Sequence, residues 1–205
     1  MECAEKILGR VIGLTGPSGS GKSSVSALIR AWERVLVVDA DAVAHYVMTQ
    51  PDCMGELVDA FSSDILAAEG TLNRRALAMV VFGCPEKLEQ LGRISYPYIL
   101  RECTRQMNEA FANGARAAFL DAPTLFESGA NRMCREIVSV VSSKEKRLQR
   151  ILLRDGITER EAEQRMKNQF DDAFYTERSD FVIRNDGNWD TLKQEVERCR
   201  LFLQL

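Results

Sequence analysis

A stretch of eight residues near the start of the chain has the spacing of a phosphate-binding loop. These residues are Gly16, Pro17, Ser18, Gly19, Ser20, Gly21, Lys22 and Ser23, and they match the pattern G-x-x-x-x-G-K-[ST]. Glycines allow the tight turn that aims successive N–H groups at a polyphosphate, although Pro17 has no N–H to donate. Lys22 suits the β- and γ-phosphates, and the Ser23 hydroxyl suits a bound Mg²⁺.

The segments on either side of this loop have the pattern that such a loop requires. An apolar run over residues 10–15 predicts a buried strand, and apolar residues at helical spacing follow to about Arg30. A helix that starts at the loop places its positive end at the anion. A chance glycine-rich turn is the alternative, and both flanks argue against it.

Two more predicted strands end in carboxylates. Asp39 and Asp41 follow the apolar run 35–38, and Asp121 follows the run 117–120. Because ligands of open α/β sheets bind beyond the carboxyl ends of the strands, we expect Asp39 and Asp41 near the phosphate loop. Asp121 is expected to act on the Mg²⁺ shell together with Ser23. For Asp39 and Asp41, a polar turn at the strand end is the alternative.

Arginines recur at helical spacing in the last third of the chain. They are Arg147, Arg150 and Arg154 on one face of a predicted helix, and Arg160 and Arg165 on the next helix. Capping-box patterns at 142–145 and 158–161 predict the starts of these two helices, and Asp155-Gly156 predicts the end of the first. Beside a phosphate loop, the pair favours a lid whose arginines neutralise the transferring phosphoryl group. A solvated, charged pair of helices is the alternative.

The rest of the pattern predicts a three-layer α/β fold. Residues 42–113 are mostly helical in pattern, with a helix cap at Asn73 and a helix from Pro85 that Pro97 interrupts. This segment is longer than a simple crossover needs, and it indicates a helical insertion that holds a second substrate or serves as a structural cap. Strands at 136–142 and 180–183 and a final helix, capped by Asp190, complete a five-stranded parallel sheet flanked by helices.

Composition excludes several classes of protein. The chain has 205 residues, a net charge of −3, one histidine and six scattered cysteines without a C-x-x-C pair. These values argue against a zinc site, a disulfide scaffold and a general nucleic-acid or membrane-surface protein. No apolar run approaches the ~20 residues of a membrane span. The first six residues lack a signal-peptide pattern. We expect a cytoplasmic monomer or weak homo-oligomer without nucleic-acid or membrane partners.

Several motifs in order along the chain together resemble the dephospho-CoA kinase family. The matching stretches are Ile12–Gly16 with the phosphate loop, Asp39–Ala44, Gly70–Arg74, Val81-Phe82, Asp121–Glu127, Arg154–Gly156, Arg165 with Gln169, and Asp180–Asn185. The loop alone is generic. The D-A-D run after the second strand and the D-A-P-T-L-F-E segment are more specific.

The resemblance implies a P-loop fold that uses ATP and Mg²⁺ to phosphorylate the ribose 3′-hydroxyl of dephospho-CoA, giving coenzyme A and ADP. By position it implies Asp41 as general base, Lys22 and Arg154 as further catalytic residues, and Ser23 and Asp121 at the metal. ATP would contact the loop, and in addition Ser24, Arg154 and Arg165. Dephospho-CoA would contact Asp39, Asp41, His45, Arg74, Leu125, Phe126 and Glu127.

The resemblance also implies three regions. They are a nucleotide-binding core of 1–44, 114–143 and 180–205, a dephospho-CoA-binding insertion of 45–113 and a lid of 144–179.

The chain departs from the family at four places. They are Pro17-Ser18 where Gly-Ile is usual, Tyr96 before Pro97 where His is usual, Thr124 where Leu is usual, and Tyr175 where Lys is usual. The Gly-Pro-Ser start of the loop also resembles uridine kinases, so a nucleoside kinase is the alternative. A nucleotide-dependent regulatory module lacks support, since the sequence has no N-K-x-D motif. A binding protein without activity is a further alternative, which the intact Lys22, Ser23, Asp41 and Asp121 disfavour.

Overall fold

A computed structural model describes residues 6–81 and 83–205. The N-terminal segment 1–5 and Phe82, on which parts of the sequence interpretation fall, lie outside the described residues. The elements are β1 (Val11–Thr15), α1 (Lys22–Ile29), β2 (Val35–Asp39), α2 (Ala40–Val47), α3 (Pro51–Phe61), α4 (Arg74–Val81), α5 (Pro85–Ala112), β3 (Ala117–Asp121), β4 (Glu136–Val141), α6 (Lys144–Asp155), α7 (Glu159–Lys167), α8 (Asp172–Glu177), β5 (Phe181–Arg184) and α9 (Trp189–Leu203). Short 3₁₀ turns occur at Ser63–Ile65 and Ala130–Met133.

Five strands form one sheet in the order β2-β3-β1-β4-β5. The central strand β1 pairs in parallel with β3 on one side and with β4 on the other, and β4 pairs in parallel with β5. In this register Leu14 lies beside Asp121, so the end of β3 emerges next to the end of β1. The predicted five-stranded parallel sheet flanked by helices is therefore confirmed.

Apolar side chains from the sheet and from two helices make the core around β1. Every residue of β1 and β3 is buried, as expected for strands covered on both faces. The predicted apolar stripe of α9 is buried as well: Leu192, Val196, Cys199 and Leu203. Trp32, just after α1, meets Phe119 of β3 edge to face at a centroid distance of 5.8 Å. Both ends of the phosphate loop are thus fixed to a packed core.

The chain divides into two compact units. The sheet unit comprises residues 8–38 and 107–205, and the helical unit comprises 39–106 together with Lys6 and Ile7. The helical unit has its own core, formed by Cys53, Leu57, Phe61, Ile65, Leu77 and Val81. No helix in the described ranges is long and apolar enough to cross a membrane.

The predicted break at Pro97 is wrong, because α5 is continuous from Pro85 to Ala112. Proline inside a helix removes one hydrogen bond and costs about 3 kcal/mol. Packing on both sides of the proline offsets this cost. Leu91 and Ile94 pack against the core of the helical unit, and Cys103 is fully buried further along.

Two predicted helix caps are also wrong, although α6 begins at Lys144, within the predicted pattern. Ser143 is the N-cap of α6 without any side-chain cap, and no capping box forms there. The hydroxyl of Ser142 instead donates to Asn185 O and Asp186 Oδ1, both at 2.9 Å. At α9 the cap is Asn188 and not the predicted Asp190. The Asn188 side chain accepts from Thr191 N. At α6 a segment distant in sequence occupies the predicted capping hydroxyl, and at α9 a side chain two positions earlier caps the helix.

Other local predictions are confirmed. Thr158 and Glu161 form the reciprocal capping box at the start of α7. Gly156 ends α6 in the left-handed conformation, with φ of 62°. Asn73 Oδ1 accepts from Ala76 N at the start of α4. The short helix α8 was not predicted.

Candidate functional site

The phosphate loop connects the end of β1 to the start of α1, as the sequence predicts. Gly19 and Gly21 have φ angles of 79° and 92°, in the left-handed region that favours glycine. A Cβ atom on Gly19 would lie 2.5 Å from the carbonyl oxygen of Arg147. The loop therefore follows a path that requires glycine, and α6 covers it closely.

Carbonyl groups of residues 18–20 accept hydrogen bonds from side chains outside the loop. Arg147 Nε donates to the first carbonyl at 3.0 Å. Arg150 Nη1 donates to the second at 3.1 Å and to the third at 3.2 Å. Asn185 Nδ2, just after β5, also donates to the third at 2.8 Å. Two guanidinium groups and an amide thus hold three consecutive carbonyl oxygens.

N–H groups at the end of the loop are left open in the part of the chain that the structure describes. Those of Gly19, Gly21, Lys22 and Ser23 have no protein acceptor there. The first N–H groups of a helix lack partners within the helix, and together with the helix dipole they attract an anion. With the carbonyl oxygens held by α6 and Asn185, this set of donors is arranged for phosphate.

Two buried polar atoms in this region lack a hydrogen-bond partner among the described residues. They are Ser20 Oγ in the loop and Arg147 Nη2 in α6. Unpaired buried polar atoms are rare in folded proteins, and each costs stability. Burial also lowers the pKa of the Arg147 guanidinium. Such costs are typical of functional regions rather than of a packed scaffold.

Lys22 forms a close ion pair with Asp121. Both side chains are shielded, with exposed fractions of 17% and 7%. The pair follows from the sheet order, because β3 lies next to β1 and ends beside it. The loop lysine and the strand-end aspartate, which the sequence placed at one site, are therefore in direct contact.

Ser23 and Asp121 fit a magnesium ion by their chemistry. A hydroxyl and a carboxylate oxygen are ligands that Mg²⁺ prefers, and the ion usually keeps water and phosphate oxygens for its other positions. Within residues 6–81 and 83–205, no group of three or more His, Cys, Asp or Glu side chains could hold a metal ion. Two protein oxygens beside a bound polyphosphate would suffice for Mg²⁺.

Arg154 and Arg165 meet at one carboxylate. Arg154 donates to both oxygens of Asp155 at 2.7 and 2.9 Å, and Arg165 forms a close ion pair with the same group. The Arg154 hydrogen bonds, with those of Arg165, lower the pKa of Asp155 to about 2. The two arginines remain largely exposed, at 59% and 42%. Within the described ranges, the polar contacts of both arginines lead to Asp155, and none leads to the phosphate loop.

An aromatic cluster lies beside the segment that follows β3. Phe126 meets Phe174 edge to face at 5.2 Å, and Phe170 stacks on Phe174 at 3.7 Å. Tyr175, where the family usually has lysine, is only 2% exposed, and burial raises its pKa to about 12. Tyr175 therefore belongs to the packing of this aromatic cluster, where a lysine would carry an unfavourable buried charge.

The other two residues of that segment differ in environment. Leu125 is fully buried and lies against Gly13 of β1. Glu127 is exposed by surface area, yet partial desolvation still raises the pKa of its carboxyl group. Of the three predicted acceptor-binding residues here, Leu125 can act only by fixing the position of the other two.

Ser24 lies in α1, where its backbone N–H donates to Gly21 O at 3.0 Å, and the remaining predicted site residues belong to the helical unit. Asp39 caps α2 by accepting hydrogen bonds from Asp41 N and Ala42 N, both at 3.0 Å. Asp41 lies in the exposed first turn of this helix. His45 is exposed, and its carbonyl oxygen accepts from Arg74 Nη2 at 3.3 Å. Asp39 thus has a structural task that the sequence interpretation did not assign.

Some contacts of the loop could not be assigned from motif spacing. The side chain of Asn185, which no local pattern assigned to the loop, donates to a loop carbonyl. Arg147 and Arg150 were predicted as lid arginines, but they donate mainly to loop carbonyls and neighbouring polar groups. The only signal for Asn185 was its place in a stretch that resembles the family, and Arg147 and Arg150 lie outside those stretches.

Comparisons with known proteins agree on that family. A family model described as dephospho-CoA kinase matches residues 10–191. A dephospho-CoA kinase of Corynebacterium efficiens is 38% identical over 189 residues, which cover 91% of this chain and 94% of that protein. A crystal structure from Thermus thermophilus is 32% identical with a TM-score of 0.80, and the match covers 95% of this chain and 98% of that one. A dephospho-CoA kinase from Campylobacter jejuni, 22% identical with a TM-score of 0.63 and coverage of 95% and 97%, shares the fold. The chain therefore belongs to the dephospho-CoA kinase family, whose members are phosphotransferases that act on a hydroxyl group.

Proposed function

We propose that this protein transfers the γ-phosphoryl group of ATP to the ribose 3′-hydroxyl of dephospho-CoA. Membership of the family supports the overall reaction. The observation that carries the proposal is the set of open N–H groups at Gly19, Gly21, Lys22 and Ser23, beside the Lys22 ammonium. Phosphoryl transfer depends on positioning and charge neutralisation more than on covalent catalysis, and this arrangement supplies both.

Lys22 would move from a carboxylate to a phosphate when ATP binds. Its ammonium contacts Asp121 in the structure, and a triphosphate offers several acceptors of greater charge. Once Lys22 contacts the β- and γ-phosphates, the oxygens of Asp121 and Ser23 would hold Mg²⁺. A bound Mg²⁺ neutralises charge on the phosphates and orients them for in-line transfer.

Arg154 and Arg165 are proposed to neutralise charge on the transferring group. Both guanidinium groups are exposed, and both bind one carboxylate, so they already converge on a single anion. The lid formed by 144–179 would present them to the phosphates. Charge-assisted contacts of this kind gain strength as negative charge develops in the transition state.

Asp41 is proposed as the general base. Asp39 holds two N–H groups of α2 through one oxygen, whereas Asp41 is exposed in the first turn of the same helix. An aspartate can accept the proton because transfer to it occurs late in the reaction. The segment 45–113, with His45 and Arg74, together with Phe126 and Glu127, would bind dephospho-CoA.

Asp41→Asn tests the role of the base. We expect loss of at least about 100-fold in kcat, since the amide cannot accept the proton, and an almost unchanged Kd for Mg·ATP. Single-turnover transfer and equilibrium binding of an ATP analogue measure the two quantities separately. Asp39→Ala is the comparison, and it should lower stability because it removes the cap of α2. Wild-type turnover in Asp41→Asn would remove Asp41 as the base.

The reaction itself is tested by ADP release with Mg·ATP and one of four acceptors: dephospho-CoA, uridine, cytidine or adenosine. Turnover with dephospho-CoA alone is expected. Turnover with a nucleoside instead would contradict the proposal and favour the nucleoside-kinase alternative suggested by Pro17-Ser18. Tight ATP binding without turnover on any acceptor would show a binding protein that has lost activity.

A further inference from the structure

We infer that Ser18 anchors the lid to the phosphate loop, and that Gln169 is the positioning residue that recognises it. The inference rests on the proposed function, because it explains how the lid arginines are held above bound phosphates. It adds a specific contact between a loop residue and a lid residue of this chain. All the residues that carry it belong to the sheet unit.

Every polar group of Ser18 contacts a side chain of the lid. Its backbone N–H donates to Gln169 Oε1 at 2.9 Å. Its hydroxyl oxygen accepts from Gln169 Nε2 at 3.1 Å, and its carbonyl oxygen accepts from Arg147 Nε at 3.0 Å. Three hydrogen bonds converge on Ser18, whereas the arginines of α6 donate to the neighbouring Gly19 and Ser20 at their carbonyl oxygens alone.

These contacts join two separate segments of the lid. Arg147 lies in α6, and Gln169 lies between α7 and α8. Arg147 Nη1 also pairs with Asp172 of α8 at 3.1 Å, and the arginine is buried. Both ends of the lid are therefore tied to a single loop residue through a network that crosses from α6 to α8.

The amide of Gln169 matches Ser18 because it donates and accepts at once. Its oxygen takes the backbone N–H and its nitrogen reaches the hydroxyl, so each half of the amide is used. Pro17 has no N–H, and Ser20 N donates to Pro17 O, so the other nearby positions could not offer the same pair. Ser18 N–H is then occupied by protein, and it serves to position the lid rather than to bind phosphate.

Breaking the anchor should release the lid while leaving the fold intact. Each hydrogen bond contributes about three- to tenfold to the equilibrium that it favours. We expect Gln169→Ala to raise the dissociation rate of Mg²⁺-bound fluorescent ATP analogue about tenfold, and to lower kcat/KM for ATP by a similar factor. Ser18→Ala, which removes only the hydroxyl, should raise the same dissociation rate about threefold.

The test is a double-mutant cycle with a matched control. Gln164→Ala removes another glutamine of the lid, one that is exposed and donates to Asn168 Oδ1 at 3.3 Å. It should leave the dissociation rate unchanged. Ser18→Ala combined with Gln169→Ala should equal Gln169→Ala alone, because both changes remove the same contact. Thermal unfolding of each variant reports any general loss of stability.

Two results would overturn the anchor. One is a nucleotide dissociation rate of Gln169→Ala that matches wild type or Gln164→Ala. The other is a set of losses that multiply in the double variant, since independent effects would then replace a shared contact. Nucleotide dissociation needs no acceptor, so these outcomes are separate from a failure of wild-type protein to phosphorylate dephospho-CoA.

Discussion

The two ends of α6 carry the same residue type and have different surroundings. Arg147 and Arg150, in its first two turns, donate to the carbonyl groups of the phosphate loop. Arg154, in its last turn, is exposed and contacts Asp155, which also binds Arg165. One helix thus fixes the shape of the loop at one end and presents a guanidinium group to solvent at the other.

This difference separates two ways in which an arginine can support phosphoryl transfer. Contacts that are complete before substrate binds contribute to the ground state and to folding. A contact made only as charge develops lowers the barrier without tightening substrate binding. The first kind is expected for Arg150, and the second for Arg154. Hydrogen bonds from Arg154 lower the pKa of Asp155 to about 2, so this carboxyl group stays ionised across the pH range of a kinase assay.

Arg154→Ala should have the largest effect on turnover. Loss of a guanidinium group that stabilises the transferring phosphoryl group should lower kcat by about 100-fold or more, with little change in the Kd for ATP. The free energy of unfolding should be unchanged, since the side chain is exposed. Steady-state kinetics and thermal unfolding measure both quantities.

A control and a contrary outcome accompany that variant. Arg198→Ala removes an exposed arginine that likewise pairs with a nearby carboxylate, Glu195, in α9. Its kcat should equal that of wild type. A change in KM alone for Arg154→Ala would place the residue in ground-state binding and remove the proposed contrast along α6.

Arg150→Ala should have an intermediate effect. It should act on stability and ATP binding, whereas Arg154→Ala should act on kcat. Its guanidinium contacts two loop carbonyls, Ser142 Oγ and Asn185 O, and the last distance is 2.8 Å. Removing it should lower the free energy of unfolding by about 2–3 kcal/mol and weaken ATP binding about tenfold. Denaturant unfolding and calorimetric titration test this.

Arg150→Lys sharpens the same comparison. A lysine keeps the charge but cannot span several acceptors as the planar fork does, so it should recover only part of the loss. If Arg150→Ala bound ATP as tightly as wild type and lost only kcat, the loop-fixing role would be wrong.

Glu127→Gln should have the smallest effect, and it should depend on pH. Desolvation raises the pKa of Glu127 above that of the unfolded chain, so its contribution to stability is present at low pH and is lost as the pH rises through the folded pKa. Glutamine does not titrate. The variant should therefore melt about 1–2 °C higher than wild type at pH 7, and the gain should vanish below about pH 4. An equal gain at both pH values would show that the charge is not the cause.

Local sequence patterns predicted the parts of this protein that depend on local physics. The loop between β1 and α1, the carboxylate that ends β3 and the buried stripe of α9 follow from glycine spacing, strand order and helical periodicity. Strand order then explains why Lys22 meets Asp121. The mechanism itself, with Asp41 as base, stays a prediction.

Contacts between distant segments could not be predicted in this way. Ser142 fits a capping box by sequence, yet its hydroxyl is used by Asn185 and Asp186, which lie more than forty positions away. The spacing of Arg147, Arg150 and Arg154 predicts that they share one face of α6. Which of them donate to the loop carbonyls depends on where the loop lies along that face, and spacing does not give this. Pro97 is tolerated because packing on both sides outweighs one lost hydrogen bond.

The position of the transferred phosphate tests the central claim most directly. The protein would be incubated with Mg·ATP and dephospho-CoA, and the product analysed by phosphorus NMR against authentic coenzyme A. We predict a single new phosphomonoester on the ribose 3′-oxygen, formed in equal amount to ADP. A phosphate at another position, or ADP with only free phosphate, would contradict the account.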